Sequence, residues 1–305
     1  LEPVLGISTC WWHGKVDRGD EIVGEVLDEG LTGIELDYRI SPWIYQQMKP
    51  LLGKSIAVIS IHNFFPVPED IGIREGGGNL FLLSSEDRDE RSLAVQLTIR
   101  TIEHAHDIEA QAVVLHLGSV DMPDPTGLLR AHYKKESEDE GTLRSLVDEQ
   151  RRIRLEKRQR NLDNILFSLD KLNREADKRS VFLAVENRYH FHEMPDFEEI
   201  GLILDTFRGG ALRYWHDVGH ARVQENLGIV NQSALLTAYA GDLVGIHLHD
   251  VRGLDDHLPP GKGEVDFDKL LAEVPAEAVR VLEVQTTASR EELREGIRLL
   301  QDKGV

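Results

Sequence analysis

LRYWHDVGH (residues 212–220) starts as a core strand and ends in ionisable groups. Leu212, Tyr214 and Trp215 suit a buried sheet, yet His216 and Asp217 follow at once and His220 stands one helical turn further on. Ionisable groups beside a core cost free energy unless they are paired or metal-bound. The same form, an apolar run with a polar tip and then an amphipathic stretch, recurs along the chain. Apolar runs fall at VLGIST (4–9), GIELD (33–37), SIAVISIH (55–62), AVVLHLG (112–118), VFLAVEN (181–187), LRYWHDV (212–218), LVGIHLH (243–249) and VRVLEVQ (279–285), eight in all. They are nearly continuous rather than alternating, as parallel strands covered on both faces require. EIVGEVLDEG (21–30), RSLAVQLTIRTIEHAHDI (91–108) and REELREGIRLLQDKG (290–304) read as helices between or after them. Eight strands alternating with helices predict an α/β chain folded as a (β/α)8 TIM barrel. The competing doubly wound sheet wants a Gly-rich phosphate turn after its first strand. That position reads CWWHGK (10–15) instead.

The expectation is one barrel domain over residues 1–305 with a charged helical or loop insertion at about 120–160. Residues 119–180, between the fourth and fifth runs, are far longer than a βα connection needs. Leu162, Ile165, Leu166, Leu169 and Leu172 form a helical stripe that should pack on the barrel. The part before it looks polar all round, as a solvated extension would, with a lid or an oligomer contact as the other reading. Glycines 76–78 read as a flexible loop near the barrel mouth.

Of the 305 residues, 41% are apolar and 29% charged, which fits a folded globular chain rather than a disordered one. No apolar run approaches the roughly 20 residues of a membrane span, so no membrane partner is expected. LEPVLGIST at the N-terminus lacks the basic-then-apolar layout of a signal peptide. The single Cys10 cannot form an internal disulfide and suits a reducing compartment. A cytoplasmic location is the expectation. The net charge of −19 repels polyanions at long range and argues against a nucleic-acid partner.

Reactive groups of such barrels gather at the C-terminal ends of the strands. Those ends carry His62, His116, Glu186, Asn187, Asp217, His220, His247, His249, Asp250, Glu283 and Gln285, and the loop after the seventh run adds Asp255 and His257. Seven of the thirteen histidines (His13, His62, His116, His216, His220, His247 and His249) fall at strand ends, a bias that folding alone does not produce. A lone histidine there is more often a hydrogen-bonded structural group, and a lone Asp-x-x-His is weak. Convergence on one rim shifts the balance. Several buried carboxylates in one cavity stay partly protonated unless a cation joins them. Imidazole and carboxylate together suit a divalent metal such as Mn, Zn, Co, Fe or Mg rather than Ca. A thiolate cluster of structural zinc is absent, which makes the predicted centre catalytic.

AVEN (184–187), HDVGH (216–220), GIHLHD (245–250), PPGKGEVDF (259–267) and LEV (282–284), on successive strands, resemble the xylose isomerase-like TIM-barrel superfamily. That superfamily includes epimerases of the tagatose 3-epimerase type, sugar-phosphate isomerase/epimerase relatives and endonuclease IV. Resemblance to the epimerase branch implies one divalent metal held by Glu186, Asp217, His247 and Glu283. Glu186 and Glu283 would double as acid/base groups, with His220 and Arg252 holding substrate oxygens. Resemblance to endonuclease IV implies three zinc ions on His62, His116, Glu186, Asp217, His220, His247, Asp255, His257 and Glu283. Against the nuclease stand the net charge, the acids and prolines of NFFPVPEDIG (63–72), the lack of a basic stretch framing the mouth, and PPGKGEVDF. The preferred expectation is therefore a carbohydrate isomerase or epimerase with a small-molecule sugar substrate. A zinc phosphodiesterase is the alternative, and a silent binding protein is disfavoured because none of the four core ligands is missing. CWWHG (10–14) suggests Trp12 as a sugar-facing wall, or else a barrel plug. His62 is a further substrate contact, and Phe64 and Phe65 are possible walls. The superfamily's habits also imply a homo-oligomer.

Overall fold

The computed structural model describes residues 5–68, 77–134 and 140–305. Its strands are β1 (Leu5–Ser8), β2 (Gly33–Leu36), β3 (Ala57–His62), β4 (Ala112–Leu115), β5 (Gly118–Ser119), β6 (Phe182–Glu186), β7 (Glu193–Met194), β8 (Leu212–Asp217), β9 (Leu243–Leu248), β10 (Asp250–Arg252), β11 (Asp255–Leu258) and β12 (Val279–Leu282). Eight of these close a parallel barrel in the order β1-β12-β9-β8-β6-β4-β3-β2. They are the eight apolar runs of the sequence, trimmed at their tips; Val4 lies outside the described residues. The other four form two small antiparallel ladders, β5 with β7 and β10 with β11, both at the end of the barrel where the strands finish.

The helices are α1 (Gly19–Asp28), α2 (Pro42–Met48), α3 (Arg88–Asp107), α4 (Thr126–Tyr133), α5 (Glu140–Lys157), α6 (Gln159–Asp177), α7 (Phe197–Thr206), α8 (Val218–Asn226), α9 (Gln232–Tyr239), α10 (Phe267–Glu273) and α11 (Arg290–Asp302). Each barrel strand is followed by at least one of them, so the connections are those of a (β/α)8 barrel. Local sequence explains their ends. Asp196 and Ser289 open α7 and α11 with reciprocal capping boxes to Glu199 and Glu292.

Two apolar layers result. Inside the barrel, Ile59, Val114, Ala184, Trp215 and Val281 pack against one another. Trp215 fits only because Gly245 faces it, since a Cβ there would lie 2.2 Å from the indole ring. Outside the barrel, the opposite strand faces meet the helices. Leu162, Ile165, Leu169 and Leu172 of α6 are buried there as the stripe predicts.

The insertion is less solvated than its composition suggests. Leu143 and Val147 of α5 are buried with Leu129, Phe191, Val223, Leu227, Val251 and Leu254 in a separate cluster. Arg154 is also buried, clamped by Glu199 and Asp196. These contacts fix α4 and α5 over the β10–β11 ladder at the barrel mouth. Gly76 of the glycine run lies outside the described residues, whereas Gly78 sits so close to His116 that a Cβ would lie 2.2 Å from its ring. Among the described residues no helix is long and apolar enough to cross a membrane.

Candidate active site

Strand ends and the helix starts that follow them place the polar groups. Asp217 ends β8 and caps α8, accepting from the His220 backbone N–H at 2.7 Å. Asn187, just past β6, ties the two strand tips together. Its side-chain oxygen accepts from the Asp217 N–H at 2.8 Å, and its amide donates to the Asp217 carbonyl at 2.9 Å. The lone aspartate of HDVGH is thus a cap whose carboxylate is held in a fixed direction. That direction is toward histidines: His249 Nε2 lies 3.0 Å from one oxygen and His247 Nδ1 3.5 Å from the other.

His247 is the hub. Its Nδ1 lies 2.9 Å from Glu186, 3.0 Å from Glu283 and 3.5 Å from Asp217, while its Nε2 faces Glu35 at 3.0 Å. All five side chains are buried. Burial disfavours an imidazolium, yet Glu283 and Glu35 outweigh it and hold the His247 pKa well above its ordinary value. The carboxylates show the converse. Burial works against their charge, but His220 and His249 around Asp217, Arg188 and His116 around Glu186, and His247 and His257 around Glu283 hold all three below the usual range.

Two further groups flank the hub. On one side, His116 Nε2 lies 3.1 Å from the second Glu186 oxygen, and the His62 ring stands edge-on to His116 at 4.7 Å. Burial and the Arg188 charge push the His116 pKa down to about 3, so that ring is neutral. On the other side, His257 Nδ1 lies 3.1 Å from Asp256 and its Nε2 3.7 Å from Glu283, with His220 Nε2 3.8 Å from Asp256. His257 has a left-handed backbone (φ 54°), a conformation that histidine adopts more readily than most side chains. Its ring stacks on His249 at 4.2 Å. His249 in turn needs Gly219, where a Cβ would lie 1.9 Å from its ring.

These residues fit a divalent metal. The ligating atoms of Glu186, Asp217, His247 and Glu283 lie within 4.8 Å of one another, as do those of His62, His116 and Glu186, of His220, Asp256 and His257, and of Asp217, His249, His257 and Glu283. Glu186 belongs to two of these sets. The Glu35 Oε1 and His116 Nδ1 atoms are buried without a partner. Oxygen and imidazole donors at this density suit a transition-metal ion.

The groups open into a cavity of about 530 Å³. Its wall includes His62, His116, Glu186, Arg188, His220, Asp256, His257 and Glu283, with the less buried Tyr38, Arg39, Arg130 and Tyr189 also lining it. Three arginines therefore line a cavity for which the sequence shows no basic stretch, Arg39 and Arg130 partly exposed and Arg188 buried against Glu186. They come from three separate loops or helices, so no run of basic residues announces them.

Three expected positions lie elsewhere. Asp255 points outward, 71% exposed and paired with Arg130 at 3.3 Å, and its neighbour Asp256 takes the inward place. Arg252 is exposed and donates to the Lys262 carbonyl at 2.6 Å, away from the cavity. Trp12 is buried between barrel and α1, its indole N–H donating to Glu25 at 2.6 Å, so it packs against a neighbouring helix and lines no part of the catalytic cavity. Phe64 and Phe65 are likewise buried, Phe65 against Tyr45. Asp250 has an architectural role: its carboxylate accepts from the backbone N–H groups of Val251, Gly261, Gly263 and Val265, which folds the PPGKGEVDF loop.

Sequence reading passed over Glu35, Arg188, Glu193 and Asp256. Glu35 carried a usable signal, an acid inside the apolar run GIELD, the same oddity that marks Glu186. Arg188 sits in the loop after β6 and Glu193 in the two-residue strand β7 beyond it, and neither carried one.

The family profile described as xylose isomerase-like TIM barrel matches residues 23–303. No curated protein matches the sequence. Among solved structures, 3-keto-D-glucoside 4-epimerase from E. coli aligns with a TM-score of 0.70 at 14% identity, over 99% of this chain and 100% of that one. D-allulose 3-epimerase from Methylomonas sp. aligns at 0.69 and 13% identity, over 99% of each chain. A Thermus thermophilus protein from crystals soaked with ZnCl2 aligns at 0.61 and 20% identity, over 99% of this chain and 98% of that one. At these identities the likeness is one of fold.

Proposed function

The chain belongs to the xylose isomerase-like TIM barrel family, and from that premise we propose that it is a divalent-metal-dependent isomerase or epimerase of a sugar or sugar derivative. One observation carries the reading: Glu186 and Glu283 lie 2.9 and 3.0 Å from the same nitrogen of His247, joined by Asp217, at the floor of an open cavity. Structural neighbours that act as sugar epimerases support it.

Glu186, Asp217, His247 and Glu283 would hold the ion, which when bound polarises a carbonyl and its neighbouring hydroxyl and so acidifies the carbon-bound proton beside them. The chain's own groups do the rest. One glutamate takes the proton from carbon, and the electron pair of the broken C–H bond moves into the carbonyl to give an enediolate. A proton taken up from solvent by the other glutamate is delivered to the opposite face as the carbonyl re-forms, which inverts the centre, and the first glutamate releases its proton to solvent. Arg188 and His116 hold Glu186 ionised, the state a base needs. His62, His220 and Tyr38 line the space above and can bind hydroxyl oxygens. The test is deuterium uptake from heavy water at the carbon next to the carbonyl of ketoses and keto-sugar derivatives. Uptake lost in Glu186→Gln and Glu283→Gln supports the mechanism, and near wild-type exchange in a metal-loaded variant defeats it.

A multinuclear phosphodiesterase is the second reading, favoured by the two flanking sets, His62/His116/Glu186 and His220/Asp256/His257, and by the arginines that line the cavity. Elemental analysis decides between them. About one ion per chain fits the epimerase, and about three zinc ions together with abasic-site incision abolished by Glu186→Gln would replace it.

A further inference from the structure

His249 stands between β9 and β10, fully buried, and both of its ring nitrogens are engaged. Its Nδ1 accepts from the backbone N–H of His257, in β11, at 2.9 Å. Its Nε2 lies 3.0 and 3.1 Å from the two oxygens of Asp217. A peptide N–H only donates, so Nδ1 is the bare nitrogen and the ring carries its hydrogen on Nε2. That hydrogen points at Asp217. Turning the ring over would put carbons in both places and lose both contacts. The ring is also held in place by stacking on His257, with 14° between the planes, and by the close approach of Gly219 in α8.

We propose that His249 is a positioning residue and not a metal ligand: it clamps the Asp217 carboxylate so that Oδ2 is the oxygen presented to the ion. A nitrogen that bears hydrogen has no lone pair for an ion, and the other nitrogen spends its lone pair on His257. Oδ1 of Asp217 accepts from the His220 backbone N–H at 2.7 Å and meets Nε2 at 3.0 Å. Oδ2 shares the Nε2–H at 3.1 Å and faces His247 Nδ1 at 3.5 Å, the nitrogen that Glu186 and Glu283 also face. Of the four candidate sets, the one that joins Asp217, His249, His257 and Glu283 therefore holds no ion. The anchor beyond His249 is the backbone of β11, so the clamp ties the β10–β11 ladder to the metal site. Partners of this kind orient a ligating carboxylate and tune its hold on the ion. The ligand half of the proposal rests on Glu186, Asp217, His247 and Glu283 being the metal centre, whereas the place of the ring hydrogen does not.

The experiment has a spectroscopic arm and an affinity arm, both on the full-length protein. In the first, long-range ¹H–¹⁵N correlation spectra of histidine-labelled protein are recorded metal-free and loaded with ¹¹³Cd²⁺. His249 should show a bare Nδ1 and a protonated Nε2 in both states and no coupling to cadmium, while His247 gains one on loading. In the second, chelator competition measures Zn²⁺ affinity in two variants. His249→Asn leaves a polar group at the place of Nδ1 and none at that of Nε2, and should lose at least about tenfold, as removal of a contact that orients a metal ligand does. His249→Gln sets an amide N–H where Nε2 stood and should recover most of that loss. A ring that served packing alone would destabilise both variants without separating their affinities. A cadmium coupling to His249, a bare Nε2 in the wild type, wild-type affinity in His249→Asn, or equal losses in the two variants would each overturn the proposal, and the wild-type spectra decide it even where a variant fails to fold. Uptake of no ion by the wild type, with the Nε2–H in place, would overturn the ligand half together with the metal reading and leave the clamp on Asp217 standing.

Discussion

Glu35→Gln is the sharpest test of how the site is built, because Glu35 reaches the chemistry only through His247. Its Oε2 accepts from Ser60 Oγ at 2.7 Å and meets His247 Nε2 at 3.0 Å, with both side chains fully buried. The opposite ring nitrogen faces Glu186, Asp217 and Glu283, so Glu35 fixes the ring's direction and raises its basicity toward the proposed ion. Loss of such a carboxylate–histidine contact costs about 10–100-fold in metal affinity, or about 1.4–2.7 kcal/mol. A second effect opposes this. Glu35 is, after Glu283, the main reason His247 holds its proton in the metal-free protein, and an incoming ion must displace that proton. Glutamine lowers the folded-state pKa of His247 and so weakens proton competition. The affinity deficit of the variant should therefore be small near about pH 6.5, where the offset is largest, and grow toward about pH 9. Chelator-competition titrations at both values measure it, and a ¹⁵N titration of the His247 ring in the metal-free protein checks the cause. Equal affinity of variant and wild type at both values, or a deficit that shrinks as pH rises, would refute this account of Glu35.

Three more outcomes follow from the geometry. Asp255→Asn should leave turnover and metal content within about twofold, as exposed sites usually do, while Asp256→Asn should clearly lower turnover and retain the ion of the four-residue set, because it removes the carboxylate between His220 and His257; equal effects on turnover would show that the β10–β11 ladder is turned the other way. His62→Ala and His257→Ala should retain the ion of the Glu186–Asp217–His247–Glu283 set and weaken substrate binding, and loss of more than one metal equivalent from either would favour the multinuclear reading. Metal-free protein should be most stable at mildly acidic pH. Asp217, Glu186 and Glu283 have depressed pKa values, so their stabilisation is present above the ordinary carboxylate range of about 4 and is lost as pH falls below it. His247 and His257 have raised values, so theirs is complete below about 6.5 and is lost as pH rises through the folded values. Calorimetric Tm should fall on both sides of that window, and bound metal should flatten the alkaline side; a metal-free Tm that climbs steadily from about pH 6 to about pH 9 contradicts the charge pattern.

The barrel was legible because its signal is repeated and cheap to read. Eight near-continuous apolar runs leave few architectures open, and each run became a strand. Candidate ligands on those strands were legible for the same reason: a strand end is a defined place, and an acid or imidazole there has a predictable side of the sheet to face. Glu186, Asp217, His247 and Glu283 meet on that basis. Glu35 obeys the same rule one residue before the end of β2, as His247 does in β9. The polar look of α5 misled for a different reason. Two buried apolar residues and one clamped arginine are enough to seat a helix against neighbours that are themselves remote in sequence.

Loops are where parity fails. Side chains alternate along a strand, so His247 predicts the direction of every second residue up to the end of β9. Beyond it the β10–β11 ladder carries a register irregularity between Asp250 and Arg252, and an irregular residue resets the alternation. Past it Arg252 turns to solvent, Asp255 turns outward to Arg130, and Asp256, the next residue along, turns inward to His257 and His220. A motif such as Asp-x-His records spacing, whereas the cavity selects by direction. In DDH (255–257) the adjacent aspartate satisfies direction where the motif's own aspartate does not. His257, in β11, has a left-handed backbone; its ring stacks on His249, and Asp256 lies 3.1 Å from its Nδ1. The third candidate set therefore depends on the local path of the β10–β11 ladder, and its occupancy by metal is the point on which the two catalytic readings divide.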